Sequence, residues 1–145
     1  MYQNNPDKLL LDQLLQGKVI ANHTLGNPLA QALKLHVEDV SLDKIKLSFD
    51  ISQQFTQGHG VVQGGIIAAM LDFAAAFLGL ANTQDPKSVV TTNLSINYLR
   101  AAPAGKFYVD AHLDKTGAKM VFCSAALYQQ TGSNIATAIF SMAVV

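Results

Sequence analysis

An α+β fold, with a mostly antiparallel sheet curled around one central helix, is the class this sequence predicts, and three observations predict it. Residues 64–81, GGIIAAMLDFAAAFLGLA, form one apolar run of helical length. Ahead of it, two stretches alternate apolar and polar residues with period two and flank a turn, which reads as a hairpin. Behind it come four further strand-like stretches with short connections, as antiparallel neighbours require. The order is therefore helix, hairpin, long helix, four-stranded meander.

Each element has its own local reason. A short helix opens the chain: Asn5 can cap it, Pro6 suits its first turn and Gly17 can end it. After a loop through NHTLGNP, the stretch LKLHVE puts Leu33, Leu35 and Val37 on one face. KIKLSFDIS does the same with Ile45, Leu47, Phe49 and Ile51, and DVSLD is the turn between them. A glycine-rich loop leads into the central helix. In SVVTTNLSINYLR, Val90, Thr92, Leu94, Ile96 and Tyr98 form the core face, while Thr91, Asn93, Ser95 and Asn97 point away. KFYVDAHLD alternates through Phe107, Val109, Ala111 and Leu113. KMVFCSAALYQQ and NIATAIFSMAVV are more evenly apolar, as strands covered on both faces are. The connections are AAPAG, KTGA and TGSN. A chain of 145 residues is expected to form one domain over 1–145, with its first helix and loop over 1–30.

Composition removes several classes of function. Half of the residues are hydrophobic and 14% are charged, which describes a globular chain. Ten basic and ten acidic residues cancel, against the clustered basic excess that a nucleic-acid surface needs. So little charge beside so much apolar content points to surface buried between subunits. Cys123 is the only cysteine, so disulfides and cysteine zinc knuckles are excluded. His23, His36, His59 and His112 are scattered without metal-ligand spacing, and no metal is expected. Residues 64–81 approach the length of a membrane span, but Asp72 falls near the centre, where lipid is costliest for a carboxylate. A buried core helix is the expectation, with no membrane partner. The polar MYQNNPDKLL lacks the layout of a signal peptide, so the cytoplasm is the expected compartment.

The central helix carries the chemistry. At about 100° per residue, Gly64, Gly65, Ala68, Ala69, Ala75, Ala76 and Gly79 share one arc, with Asp72 near its middle. Two readings of this stripe stand side by side. In one, small residues let the helix pack closely and Asp72 is hydrogen-bonded to a neighbour. In the other, they leave room beside the carboxylate for a ligand, and a carboxylate in an apolar cleft is a candidate general base or nucleophile. The helix start offers a complement, since its free N–H groups and positive dipole end can hold a developing oxyanion. Gly64 and Gly65 carry no side chain to block that approach. An oxyanion donor and a carboxylate two turns along are the minimum equipment for acyl transfer.

VVQGGIIAAMLD, followed about twenty residues later by TTNLSINYLRAAPAG, resembles the hotdog-fold acyl-CoA thioesterases of the phenylacetyl-CoA and 4-hydroxybenzoyl-CoA type, the PaaI-like enzymes. The resemblance extends from about residue 33 to the C-terminus and implies the hotdog fold. It implies that Asp72 is the general base or nucleophile and that the Gly64 N–H polarises the thioester carbonyl. Gln57, seven residues before Gly64, takes the position of the side chain that orients thioester or water. Thr91, with Thr92 as the alternative, takes the position of a hydroxyl supplied by the neighbouring subunit to hold the water. Gln63, Gly65 and His59 complete the substrate-contacting candidates. Where the family's motif has histidine, this chain has Gln63, so any role of an imidazole there is absent or changed. The resemblance also implies a homodimer, commonly doubled to a homotetramer, and no cofactor, coenzyme A being part of the substrate.

Other signals weigh less. The run from Gly58 to Gly64 is similar to a dinucleotide loop but lacks the following acid and further βαβ units. Arg100, Lys115 and Lys119 flank turns; they are solvated surface or they meet the phosphates of coenzyme A. Two rival functions remain. One is a hydratase or dehydratase on acyl thioesters using His59 with Asp72, although the proline-rich loop of those relatives is missing. The other is a non-catalytic acyl-CoA binding protein.

Overall fold

The computed structural model describes residues 5–18, 26–84, 87–130 and 132–145. Helix α1 spans Pro6–Leu15, and the Asn5 side chain accepts from the N–H groups of Asp7 and Lys8. Its C-terminal turn closes at Gly17, whose φ of +76° suits a residue without Cβ. A second short helix, α2 (Pro28–Ala32), which the sequence does not predict, precedes the first strand, and that strand begins at His36 rather than at Leu33. The start signals of α2 are ordinary: Asn27 caps the Ala30 N–H at 3.1 Å and Pro28 sits at the first position. Leu33 is buried all the same, as the residue that caps α2.

Six antiparallel strands follow: β1 (His36–Val40), β2 (Lys44–Ile51), β3 (Val89–Tyr98), β4 (Gly105–Thr116), β5 (Met120–Tyr128) and β6 (Asn134–Val144). Between β2 and β3 lies the long helix α3, Gly64–Ala81, over the predicted residues. The sheet order is β1-β2-β4-β5-β6-β3 and the sheet is open. The expected four-stranded meander is therefore corrected to three. β4, β5 and β6 form it, and β3 lies beyond β6 at the far edge. Three strand spacings separate β3 from β4, about 14 Å, and the six residues of 99–104 span that easily.

α3 packs across the sheet, contacting β2 through β6, and α1 packs on α3. Phe49, Phe107, Met70, Leu71, Leu78, Leu127 and Met142 are fully buried at this junction. α3 is long and apolar enough to cross a membrane, yet 56% of its residues are buried inside this fold. The small residues serve packing at one end: a Cβ on Gly79 would stand 3.0 Å from Met142 Cε and 3.3 Å from Val89 Cγ2. Ala75 is buried as well, whereas Gly65, Ala68, Ala69, Asp72 and Ala76 remain at least partly open.

One irregularity in β3 changes which residues face α3. The β3–β6 register shifts between Thr91 and Asn93, which leaves Thr92 as the extra residue of a bulge. Beyond it, Leu94, Ile96 and Tyr98 pair with the buried Phe140, Ala138 and Ala136, as the alternation predicts. Before it the parity reverses. Thr91 pairs with the buried Met142, and Val90, expected in the core, is 44% exposed.

Candidate functional site

Backbone hydrogen bonds fix the turn that enters α3. The Gln63 N–H donates to Phe55 O, and Gln63 O accepts from Ile66 and Ile67. The Gln63 side chain makes no capping bond. Among the described residues, the N–H groups of Gly64 and Gly65 have no acceptor. They sit at the positive end of an 18-residue helix. A Cβ on Gly65 would meet nothing within 4 Å, so its approach is open. Gln57 lies in the preceding turn, its Oε1 accepting from the His59 N–H at 2.6 Å, and Gly60 closes that turn with φ +79°. His59 is exposed at the tip.

A residue the alternation assigns only to the core belongs to this cluster. The Tyr98 ring lies 3.6 Å from where a Cβ on Gly64 would stand, and its hydroxyl donates to Gly64 O at 2.9 Å. That carbonyl shares a peptide unit with the Gly65 N–H, and a donor on the oxygen polarises the N–H across it. The phenolic oxygen at the end of SVVTTNLSINY is the only sequence signal for this role.

Two turns further along α3, half-buried Asp72 accepts from Thr91 Oγ1 at 2.7 Å. A cleft of about 240 Å³ opens beside it. One wall is the α3 face carrying Ala69, Asp72, Phe73, Ala76, Phe77 and Leu80. Leu29 and Val89 add apolar surface, and Asn5, Asp7, Asn27 and Ser88 add polar groups. Asn27 Nδ2 donates to Asp7 Oδ2 at 3.1 Å. Burial raises the Asp7 carboxyl above its ordinary value, against the opposing pull of the Asn27 amide. From sequence Asn5 reads only as a helix cap, and Asp7 and Asn27 carry no site signal.

The chain thus presents two half-sites. Gly64 and Asp72 are eight residues apart on one helix, an axial distance of about 12 Å. A thioester oxygen on the Gly64 N–H leaves its carbonyl carbon within about 4 Å of that nitrogen, out of direct reach of the same chain's Asp72. One intervening water closes the gap only if every link lies in a straight line. Gly64, Gly65, Gln57 and Tyr98 make one half; Asp72 and Thr91, with the cleft, make the other.

Several expectations change accordingly. Thr91, turned toward α3 by the bulge, bonds the Asp72 of its own chain. Thr92 faces the opposite side, with its hydroxyl on Ser141 O and Oγ at 3.0 Å, and leaves the site. The three basic candidates do not converge. Arg100 N–H donates to Ile135 O at one end of β6, whereas Lys119 O accepts from Val144 at the other. Nine residues of strand put about 30 Å between those ends. Arg100 accompanies the Gly64 half; Lys119, with Lys115 on the same hairpin, accompanies the Asp72 half. Among the described residues, no group of three or more His, Cys, Asp or Glu side chains could hold a metal ion.

Known proteins share this fold. Residues 59–136 match the family model of the Thioesterase superfamily. A protein of Saccharolobus solfataricus that bears an esterase name is 24% identical over 94 residues, which are 65% of this chain and 62% of that relative. Among solved structures, a phenylacetic acid degradation-related protein of Ralstonia eutropha JMP134, whose name suggests thioesterase activity, is 28% identical with a TM-score of 0.80. That likeness covers 92% of this chain and 98% of the other. The E. coli PaaI protein from the phenylacetic acid degradation operon shares the fold at TM-score 0.80 and 15% identity, over 97% and 94% of the two chains.

Proposed function

Since the chain belongs to the Thioesterase superfamily, we propose that it hydrolyses acyl-CoA thioesters to free acid and coenzyme A, at a site completed by a second copy. The observation that carries this reading is the Thr91–Asp72 hydrogen bond beside an open cleft, on a helix whose first N–H groups have no acceptor among the described residues. The Gly64 N–H of one copy takes the thioester oxygen and stabilises the oxyanion as it forms. Asp72 of the other copy removes a proton from water while the water oxygen bonds the carbonyl carbon, and Thr91 holds the carboxylate in place. Collapse of the tetrahedral species expels the CoA thiolate, which takes up the proton. In the nucleophilic variant, an Asp72 oxygen attacks first and expels the CoA thiolate, and water then opens the mixed anhydride to free acid and the Asp72 carboxylate. No cofactor enters either route.

The long β3 edge supports the pairing. It carries Tyr98 at the Gly64 end and Thr91 at the Asp72 end, and as a ten-residue sheet edge it invites an antiparallel partner. With the extra residue Thr92 set aside, a two-fold axis at Ser95 puts Thr91 of each copy opposite the partner's Tyr98, so each Gly64 half meets an Asp72 half. Arg100 from one copy and Lys115 and Lys119 from the other then flank one site, where they can meet the CoA phosphates. A homodimer, doubled to a tetramer in the cytoplasm, completes this reading. Release of free thiol from a panel of acyl-CoAs tests it. Asp72→Asn is expected to lower hydrolysis at least about a hundredfold, and a folded Asn variant with the wild-type rate refutes the assignment.

A further inference from the structure

The cleft follows α3 from Asp72 to Leu80, eight residues and about 12 Å of helix, over Phe73, Ala76 and Phe77. Such walls favour hydrocarbon over water. Ser88 and Val89 stand at the Leu80 end, since Val89 Cγ2 lies 3.3 Å from where a Cβ on Gly79 would be.

Ser88 breaks the apolar lining. It is 8% exposed, which takes its hydroxyl out of bulk water, yet among the described residues that hydroxyl has no hydrogen-bond partner. Its backbone is satisfied: the Ser88 N–H donates to Val145 O at 2.8 Å, and Ser88 O accepts from the Val145 N–H at 2.9 Å. Thr83, also buried near this end of α3, shows the ordinary solution, its hydroxyl donating to Leu80 O at 2.8 Å. A buried hydroxyl left unpaired is costly, and the cleft is where Ser88 can find a partner. Hydrocarbon supplies none. Water does, and the half-buried Asp7 carboxylate on the same cleft gives such a water further polar surroundings.

We propose that Ser88 sets the length of the acyl group this chain accepts: the tail lies along α3 and stops at a water held by the Ser88 hydroxyl. This inference rests on the thioesterase reading, and its test separates the two. A tail long enough to reach Ser88 displaces the water and leaves the hydroxyl unpaired, so turnover falls at that length. A cavity of about 150 Å³ holds benzene and a water takes about 30 Å³. At about 240 Å³, the cleft therefore holds a medium alkyl chain, or a ring with a short linker, above that water.

The full chain is assayed for thiol release on two series, straight-chain acyl-CoAs from butanoyl to hexadecanoyl and phenylalkanoyl-CoAs from phenylacetyl to 8-phenyloctanoyl. In the better hydrolysed series, kcat/KM is expected to pass an optimum and then fall about tenfold or more, the scale of one buried group losing its partner. Ser88→Ala and Ser88→Cys are each expected to move that fall to tails about two carbons longer or more. Cysteine is close to serine in size but bonds hydrogen weakly, so a wall acting by bulk alone leaves the fall of the Cys variant in place. No such fall in the wild type, or a fall unmoved in either folded variant, overturns the inference. If no acyl-CoA is hydrolysed, the thioesterase reading is what fails. The cleft is then judged by calorimetric binding of the free acids of both series. An affinity that drops beyond one length, and drops later in Ser88→Cys, upholds the role of Ser88; the same profile in both proteins refutes it.

Discussion

Complementation between two inactive variants tests the division into half-sites most directly. Gly64→Pro removes the N–H that is assigned to the oxyanion and little else. Proline is tolerated at the first helical position, and Gln63 already has the extended backbone, φ −59° and ψ 136°, that a following proline requires. The added Cβ meets the Tyr98 ring at an ordinary 3.6 Å. Loss of one oxyanion donor is expected to cost about a hundred- to a thousandfold in kcat, and Asp72→Asn at least about a hundredfold. With about 12 Å of helix between the two positions, each active site draws Gly64 from one copy and Asp72 from the other. After equal mixing and full exchange, half of the dimers hold one chain of each kind, and one of their two sites is intact. Thiol release is then expected to recover to about one quarter of the wild-type rate. Asp72→Asn mixed with Thr91→Ala gives the opposite result, no gain over the two variants assayed apart, because both residues lie in the same half. Exchange is verified by mass spectrometry of differently tagged chains. No recovery in the first mixture despite proven exchange, or recovery in the second, refutes the division.

Three further outcomes follow from single residues. Tyr98→Phe keeps the ring and removes the donor to Gly64 O, so kcat is expected to fall about two- to tenfold with KM little changed and the Gly65 amide proton shifted in the NMR spectrum; an unchanged kcat and amide shift exclude the role. Because burial raises the folded-state value of Asp7, its contribution to stability is fully present below the unfolded carboxyl range and is lost as pH rises through the higher folded-state value. Asp7→Asn is therefore expected to gain stability over the wild type by more at pH 7 than at pH 4 in urea unfolding, and a larger gain at pH 4 contradicts that. Cys123 is buried, and burial pushes its thiol up to about 12, so Ellman's reagent at pH 8 is expected to react only after denaturant is added, while prompt reaction of the native protein argues against burial.

Strong periodicity carried the fold and weaker signals did not. The long helix is legible because eighteen residues hold one charge, and β2 because its four inward residues alternate without a break. The position of β3 is not legible, since a six-residue connection can join neighbouring strands or cross two others. The bulge leaves no mark in TTN, where three polar residues in succession fit either parity, so plain alternation puts Thr91 on the side of its strand facing away from α3. At the site, the helix rise alone separates Gly64 from Asp72, so joining them within one chain overlooks a distance that residue numbers already give. Tertiary contact was needed for the rest: the Tyr98 hydroxyl reaches Gly64 across 34 positions, and Asn27 reaches Asp7 across 20. Neither pair follows from local pattern. One orients the helix start and the other gives the cleft its polar end. The helix start and Asp72 are therefore legible in the helix motif, while the partners that fix their surroundings meet only on folding.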